Sequence, residues 1–461
     1  MMSGVPSPTR TAIAPARRCA YTVLRRVFER GAYADEAFQA ESRELDARDR
    51  ALAMRLAYGA VQRRATIDYL IERLAERPAA KLDPPVLAAL RLGLYELAYL
   101  SGAPDYAVVT DAVELAKAHG RGHGLVNAVL RRAGREGAAA LLGGLSDETP
   151  VHAALMHSHP EWIARLWWEY LGPDDARALM AANNEQGEVA LRANTLLTDA
   201  VSLAAALPVS THADPGIPEA LVLDEPFDVH GSPLWRDGAL IAQSRAAMLV
   251  ARALGPRSGE RVLDLCAAPG GKSTHLAALM EGGGEVLAVE RDRRRAGALV
   301  RTAQRLHAEN IRVEVAEAVH ARPEGPVYDR VLVDPPCSGL GTLAAHADLR
   351  WRMTPEKVRE MAGAQARILA AGAAALRPGG VLVYSTCTIS PTENERLIAA
   401  FLDSHADFGI EDLAAELPAY RLVAPANAGV GDGCAPPAGT VLTLPHRDRT
   451  AGFFIARMRR S

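Results

Sequence analysis

Two cysteines close two predicted strands. Cys337 stands in VDPPCSGLGTL and Cys387 in VLVYSTCTISP, after strands predicted at Arg330–Asp334 and Val381–Ser385. A lone cysteine is most often a small buried hydrophobe, and Cys19 and Cys434 are read that way; Cys266, inside a glycine turn, is read as packing. Two thiols at the same end of neighbouring strands form a different pattern, because a thiolate is a strong nucleophile. Asp334 brings a carboxylate to the same place.

The Asp-Pro-Pro run narrows the chemistry. Methyl transfer to an exocyclic amine calls for an aromatic residue after the prolines, to stack the base. Here Cys337 stands there. A ring carbon is then the better target. C5 of cytosine is not nucleophilic until a thiolate adds to C6, and an acid near N3 steadies the charge that develops. The scheme needs a nucleophilic cysteine, an acid and a second proton-handling group. Cys387, Asp334 and Cys337 supply three such groups, and the residues alone do not say which thiol attacks.

A partner site precedes them at VLDLCAAPGGKST, residues 262–274. A phosphate-binding P-loop needs glycine five positions before Gly271, and Cys266 stands there. The spaced glycines of a dinucleotide fingerprint are missing as well. What remains is a strand, a Pro-Gly-Gly turn and a helix N-terminus, suited to a ligand with some negative charge such as an amino-acid carboxylate. Glu290 ends the next strand at the distance expected of an acid that holds ribose hydroxyls. Glu317 follows the third strand.

These groups need a parallel sheet to converge. From residue 259 the pattern alternates strand and helix, with strands at Arg261–Leu265, Glu285–Glu290, Ile311–Val315, Arg330–Asp334 and Val381–Ser385. This predicts a doubly wound α/β domain with its ligand crevice beyond the strand carboxyl ends. The terminal GTVLTLPHRDRTAGFFIARMRR predicts an antiparallel edge pair. Residues 17–134 carry helical periodicity, punctuated by Pro84-Pro85 and Pro104. Residues 135–150 read as a linker, and short strands with proline-rich loops up to 230 suggest a small α+β subdomain.

The chain has 461 residues and a net charge of −3, enough for two or three domains. Five cysteines without a C-x-x-C pair argue against a disulfide framework and a zinc site. His152, His157 and His159 lack the accompanying ligands of a metal site. No 18-residue apolar run or signal peptide is evident, and the first 18 residues read as a frayed polar end, so a cytoplasmic location is expected. Residues 1–150 are slightly basic, with 21 Lys and Arg against 18 Asp and Glu. Arg17, Arg18, Arg25, Arg26, Arg63, Arg64, Arg131 and Arg132 serve equally as an RNA surface or as ordinary helix surface. Arg291, Arg293, Arg294 and Arg295 are read as a solvated helix face, and Trp162, Trp167 and Trp168 as core.

Four motifs in order, LDLCAAPGGKST, VDPPCSGLGTL, LRPGGVLVYSTCTISPTENE and TAGFFIARMRR, resemble the Nop/Sun RNA cytosine-C5 methyltransferases. HSHPEWIARLWWEYLG and LRANTL resemble that family's short RNA-facing subdomain, and YAVVTDAVELAK with LVNAVLRR resembles a NusB-like domain. The combination is similar to the bacterial members that act on 16S rRNA. The resemblance implies an all-α NusB-like domain at 1–140. A linker and small α+β, RRM-like subdomain would follow at 141–230, and a Rossmann-like α/β methyltransferase domain with an antiparallel edge pair at 231–461. It implies S-adenosylmethionine as cofactor and 16S rRNA as partner, cytosine 967 being the family's expected target. It also implies a monomer with no metal. Cys387 becomes the nucleophile, Cys337 the thiol that helps release product, and Asp334 the residue that contacts base and cofactor. Cofactor positions fall on Cys266, Ala267, Ala268, Pro269, Gly270, Gly271, Lys272, Glu290, Glu317 and Asp334. Three departures stand out. Glu290 and Glu317 replace the family's aspartates, and Gln243-Ser244 replaces its Gln-Asp, a change at a support of the cofactor loop. The rival readings are a tRNA substrate and a non-catalytic RNA-binding assembly factor.

Overall fold

A computed structural model of the chain describes residues 13–320, 326–417 and 438–461. Cys434 and the first 12 residues of the polar amino end lie outside the described residues. Two compact units make up the chain, one of residues up to Arg165 with His346–Arg352, the other of Leu166–Ala345 with Met353–Ser461.

The first unit is helical. Its helices include Pro15–Arg30, Ala34–Glu41, Ala47–Gln62, Arg64–Ala75, Pro84–Tyr99, Asp105–Lys117 and His123–Glu136. The prolines at 84 and 85 open a helix rather than end one, since the first helical N–H groups have no intrahelical partner to lose. One continuous core runs through Leu24, Leu56, Leu70, Leu90 and Leu130. Leu349–Arg352 packs within this unit. Trp351 Nε1 donates to the Val61 carbonyl at 2.8 Å, and Arg350, fully buried, donates to the Ser158 carbonyl at 3.0 Å.

The second unit holds two sheets. The smaller joins β1 (Ala190–Ala193), β2 (Thr211–Asp214), β3 (Ile217–Leu223) and β4 (Leu240–Ala242), in the order β2-β3-β1-β4 and antiparallel throughout. The larger contains β5 (Arg261–Asp264), β6 (Glu285–Val289), β7 (Ile311–Glu314), β8 (Tyr328–Val333), β9 (Leu376–Thr386), β10 (Phe408–Ile410), β11 (Val441–Leu442) and β12 (Phe454–Arg460). Its order is β10-β12-β9-β8-β5-β6-β7, with β11 on β12. Strands β5 to β9 are parallel, and β12 runs antiparallel to β9. The strand order reverses between β5 and β8, where an α/β sheet opens its ligand crevice. The expected antiparallel closing strands are present. Strand β10, absent from the sequence reading, adds an outer partner to β12.

Candidate functional site

Strand register brings the site together. Asp264 pairs with Ala288 on one side and Leu332 on the other, so Cys266, Glu290 and Asp334 follow two residues later at one level. Val333 pairs with Tyr384, which sets Asp334 beside Ser385. Asp334 Oδ1 accepts from Ser385 Oγ and Oδ2 from Lys272 Nζ, both at 2.7 Å. The Lys272 ammonium also lies 5.0 Å from the centre of the Phe453 ring. Burial works against that ammonium, but Asp334 outweighs it and the Lys272 pKa is raised, with the Cys387 sulfur acting in the same direction. Lys272 thus stays cationic and favours negative charge on nearby sulfur.

Cys337 and Cys387 lie with their Sγ atoms 3.3 Å apart. The Cys387 sulfur and burial together push the Cys337 thiol well above its ordinary range. Either sulfur can donate to the other at that distance. None of the four described cysteines is in a disulfide.

The glycine turn has the predicted form. Gly270 (φ +102°) leads into the helix Gly271–Leu279, and a Cβ there would meet Leu299 Cγ at 3.2 Å. Positive φ and close approach together require glycine. Ala267 and Ala268 are buried, Pro269 is exposed, and Cys266 is half-buried, its thiol raised by burial and by nearby carboxylates. Glu290 is buried and accepts from the Asp292 amide, whereas Glu317 is exposed beyond β7.

Two contributors, Arg192 and Asp264, are missing from the sequence reading. Arg192, fully buried on β1, donates to Gln243 Oε1 at 2.5 Å, to the Gly271 carbonyl at 2.6 Å and to Thr274 Oγ1 at 3.0 Å. It ties the small sheet to the glycine turn. Asp264 ends β5 with Oδ2 accepting from Ser273 Oγ at 2.7 Å, while Oδ1 is buried without a completed hydrogen bond. Ser244 is an N-cap, accepting from the Ala247 amide, so serine does the capping at the family's aspartate position. The solvated-face reading holds for Arg291, Arg293, Arg294 and Arg295, all exposed, and Arg295 in addition donates to the Ala268 carbonyl at 2.9 Å and stands 3.6 Å from Glu290.

Elsewhere the structure assigns plain structural partners. Arg17 pairs with Glu96 and Asp111, Arg25 with Glu29, Arg26 with Glu41, Arg64 with Asp68, and Arg132 with Glu136. Arg63 lies over the Tyr99 ring. Trp167 is fully buried, as read, and donates to the Ile389 carbonyl just beyond Cys387, whereas Trp162 and Trp168 are only half-buried. His157 faces Asp147, and His159 donates to the His157 carbonyl. No helix among the described residues is long and apolar enough to cross a membrane.

Comparison with known proteins bears on this site. The family described as 16S rRNA methyltransferase RsmB/F matches residues 251–459, the RsmF/B-like ferredoxin-like domain matches 159–230, and the NusB family matches 14–135. A probable ribosomal RNA small subunit methyltransferase B of Synechocystis is 36% identical over 97% of this chain and 99% of its own. A protein of the same description from Bacillus subtilis is 36% identical over 91% and 92%. The crystal structure of PH0851 superposes with a TM-score of 0.77 at 27% identity, covering 98% of this chain and all of that one. The matches run through the helical domain, the small sheet and the site-bearing sheet in one order, and the chain belongs to the ribosomal RNA small subunit methyltransferase B family.

Proposed function

We propose that the protein methylates C5 of a cytosine in 16S rRNA, with cytosine 967 as target, through a transient bond between Cys387 and C6. The observation that carries this is the pair of sulfurs 3.3 Å apart beside the Lys272–Asp334–Ser385 chain. S-adenosylmethionine, when bound, supplies an electrophilic methyl group.

The residues at the glycine turn suit that cofactor. Asp264 offers a buried carboxylate oxygen without a completed hydrogen bond, a good acceptor for an ammonium group. Glu290, on the level of Cys266, suits ribose hydroxyls. Cys266, Ala267, Ala268, Pro269, Gly270, Gly271 and Lys272 would line the methionine end, with Asp334 between cofactor and base. Glu317, though exposed, is kept as the outermost contact.

Catalysis follows from the thiols. The Cys387 sulfur gives an electron pair to C6, and the C5–C6 π electrons move into the ring, making C5 nucleophilic. The Lys272 cation, held in place by Asp334, steadies the negative charge that develops on the ring. After C5 is alkylated, a base takes its proton, the C–H electrons re-form the C5–C6 double bond, and the C6–S bond breaks to release the Cys387 thiolate, with Cys337 assisting release. The target base must leave its stack, because attack on C6 comes perpendicular to the ring.

The working parts are taken as 1–140 and 141–230 for RNA and 231–461 for transfer, in a monomer acting in the cytoplasm without metal. Bisulfite sequencing of total RNA from a deletion strain tests the substrate. The reading expects one 16S cytosine to lose its mark and to regain it on complementation. Loss confined to tRNA would support the rival substrate, and no loss anywhere would support a non-catalytic factor.

A further inference from the structure

We propose that Glu393 and Asn394, consecutive residues after Cys387, are positioning residues that form a two-sided clamp. In this clamp Glu393 holds the Cys337 turn and Asn394 holds the Cys387 turn. The proposal rests on the covalent reading above and adds what sets the two thiols against each other.

The Cys337 side is held at both flanking peptides. Glu393 Oε1 accepts from the Ser338 amide at 2.8 Å, and Oε2 accepts from Ser338 Oγ. Gln365 Nε2 donates to the Pro336 carbonyl at 2.9 Å and to Glu393 Oε1 at 3.0 Å. The backbone groups just before and just after Cys337 are thus gripped by one Gln–Glu pair. Tyr384 steadies that pair, its single hydroxyl proton directed to the Glu393 carbonyl at 2.7 Å with Gln365 Oε1 at 3.2 Å as the longer, alternative acceptor.

The Cys387 side repeats the arrangement with different atoms. Asn394 Oδ1 accepts from Thr386 Oγ1 at 2.6 Å, and Asn394 Nδ2 donates to the Thr388 carbonyl at 2.9 Å. One amide side chain therefore spans the residues on either side of Cys387. Ser338 Oγ and Thr388 Oγ1, 2.7 Å apart, tie the two turns together.

Chemistry explains the residue types. Glu393 and Asn394 are both 0% exposed. A buried carboxylate is tolerable where donors converge on it, and Ser338 and Gln365 supply three. Asparagine is suited to the second turn, which presents one donor and one acceptor to it.

Because the two residues serve different thiols, their substitution should have opposite effects. Loosening Cys337 impairs release, so the protein–RNA adduct accumulates. Loosening Cys387 impairs attack, so the adduct forms slowly. A purely structural contribution would move both variants the same way.

The test uses the full-length protein, labelled 16S rRNA fragment and S-adenosylmethionine, with covalent adduct read on denaturing gels over time. Cys337→Ala and Cys387→Ala are the references. Glu393→Gln and Gln365→Ala should raise the steady adduct level toward that of Cys337→Ala. Asn394→Ala and Thr386→Val should slow adduct formation by about tenfold or more, the scale of a misplaced reacting group. If the variants at 393 and 394 fail to fold, as judged by circular dichroism, those at 365 and 386 decide by the same criterion. Shifts in the same direction on both sides, or no shift on either, overturn the clamp while an adduct in Cys337→Ala leaves the covalent reading standing. No adduct even in Cys337→Ala overturns that reading and the clamp with it.

Discussion

Gly341 and Gly452 meet back to back: the Gly452 amide donates to the Gly341 carbonyl at 2.7 Å, and the Gly341 amide donates to the Cys387 carbonyl at 3.0 Å. The segment after Cys337, the entrance to β12 and the residue Cys387 are thereby laced through one crowded point. It also explains the TAGFF motif, whose glycine permits the approach and whose Phe453 underlies Lys272.

A methyl group cannot enter that point. A Cβ on Gly341 would stand 2.0 Å from the Gly452 carbonyl oxygen, so backbone must move. Gly341→Ala is expected to destabilise the protein by about 1–3 kcal/mol, as overpacking does, and to cut activity more than the stability loss explains. Thermal unfolding and initial methylation rates, measured side by side at a temperature where the variant is folded, check this.

Arg192 links the small sheet to the glycine turn. Arg192→Met removes the shorter of the two side-chain hydrogen bonds to the Gly271 carbonyl, leaving the 3.2 Å contact from Thr274 Oγ1. A lost charged donor at a buried acceptor costs about 1–3 kcal/mol, so the cofactor dissociation constant should rise by about tenfold. Arg192→Lys, which keeps a donor but loses the fork, should fall between. Titration calorimetry with S-adenosylmethionine measures both.

Asp264 predicts a pH dependence. Burial pushes its carboxyl up to about 7, against the hydrogen bond from Ser273 and with Asp334 adding to the rise. The folded chain then holds a proton, between about pH 4 and pH 7, that the unfolded chain has lost. This group's stabilising contribution is full below about pH 4 and is lost as pH rises through about 7. Asp264→Asn, neutral throughout, should gain stability relative to the unsubstituted protein as pH goes from 5 to 8. The gain should be on the order of 1–4 kcal/mol, read from urea midpoints across that range.

Sequence carried the site unevenly. Cys337, Cys387, Asp334 and the glycine turn were legible because parallel strands deliver their carboxyl ends to one edge, and local motifs mark those ends. The Lys272–Asp334 pair could not be read locally, since it depends on strand register across 62 positions. Arg192 was hidden for the same reason, lying 79 positions from the carbonyl it serves. Glu393 and Asn394 stood inside a recognised motif, but their division of labour needs the fold of two turns. The paired arginines show a different limit. Arg17 and Arg64 look like surface charge by periodicity, yet each meets a carboxylate from its own unit. Arg295 is exposed, as its run implies, and still reaches the turn through the Ala268 carbonyl, a contact periodicity does not reveal.

The central claim is that Cys387 bonds the RNA and Cys337 frees it. The most direct measurement is the adduct formed by Cys337→Ala with 16S rRNA and S-adenosylmethionine, trapped by denaturation and mapped by peptide mass spectrometry. The account predicts a stable RNA-linked peptide containing Cys387, absent when Cys387→Ala is added. An adduct formed by Cys387→Ala through Cys337, with none from Cys337→Ala, would contradict it.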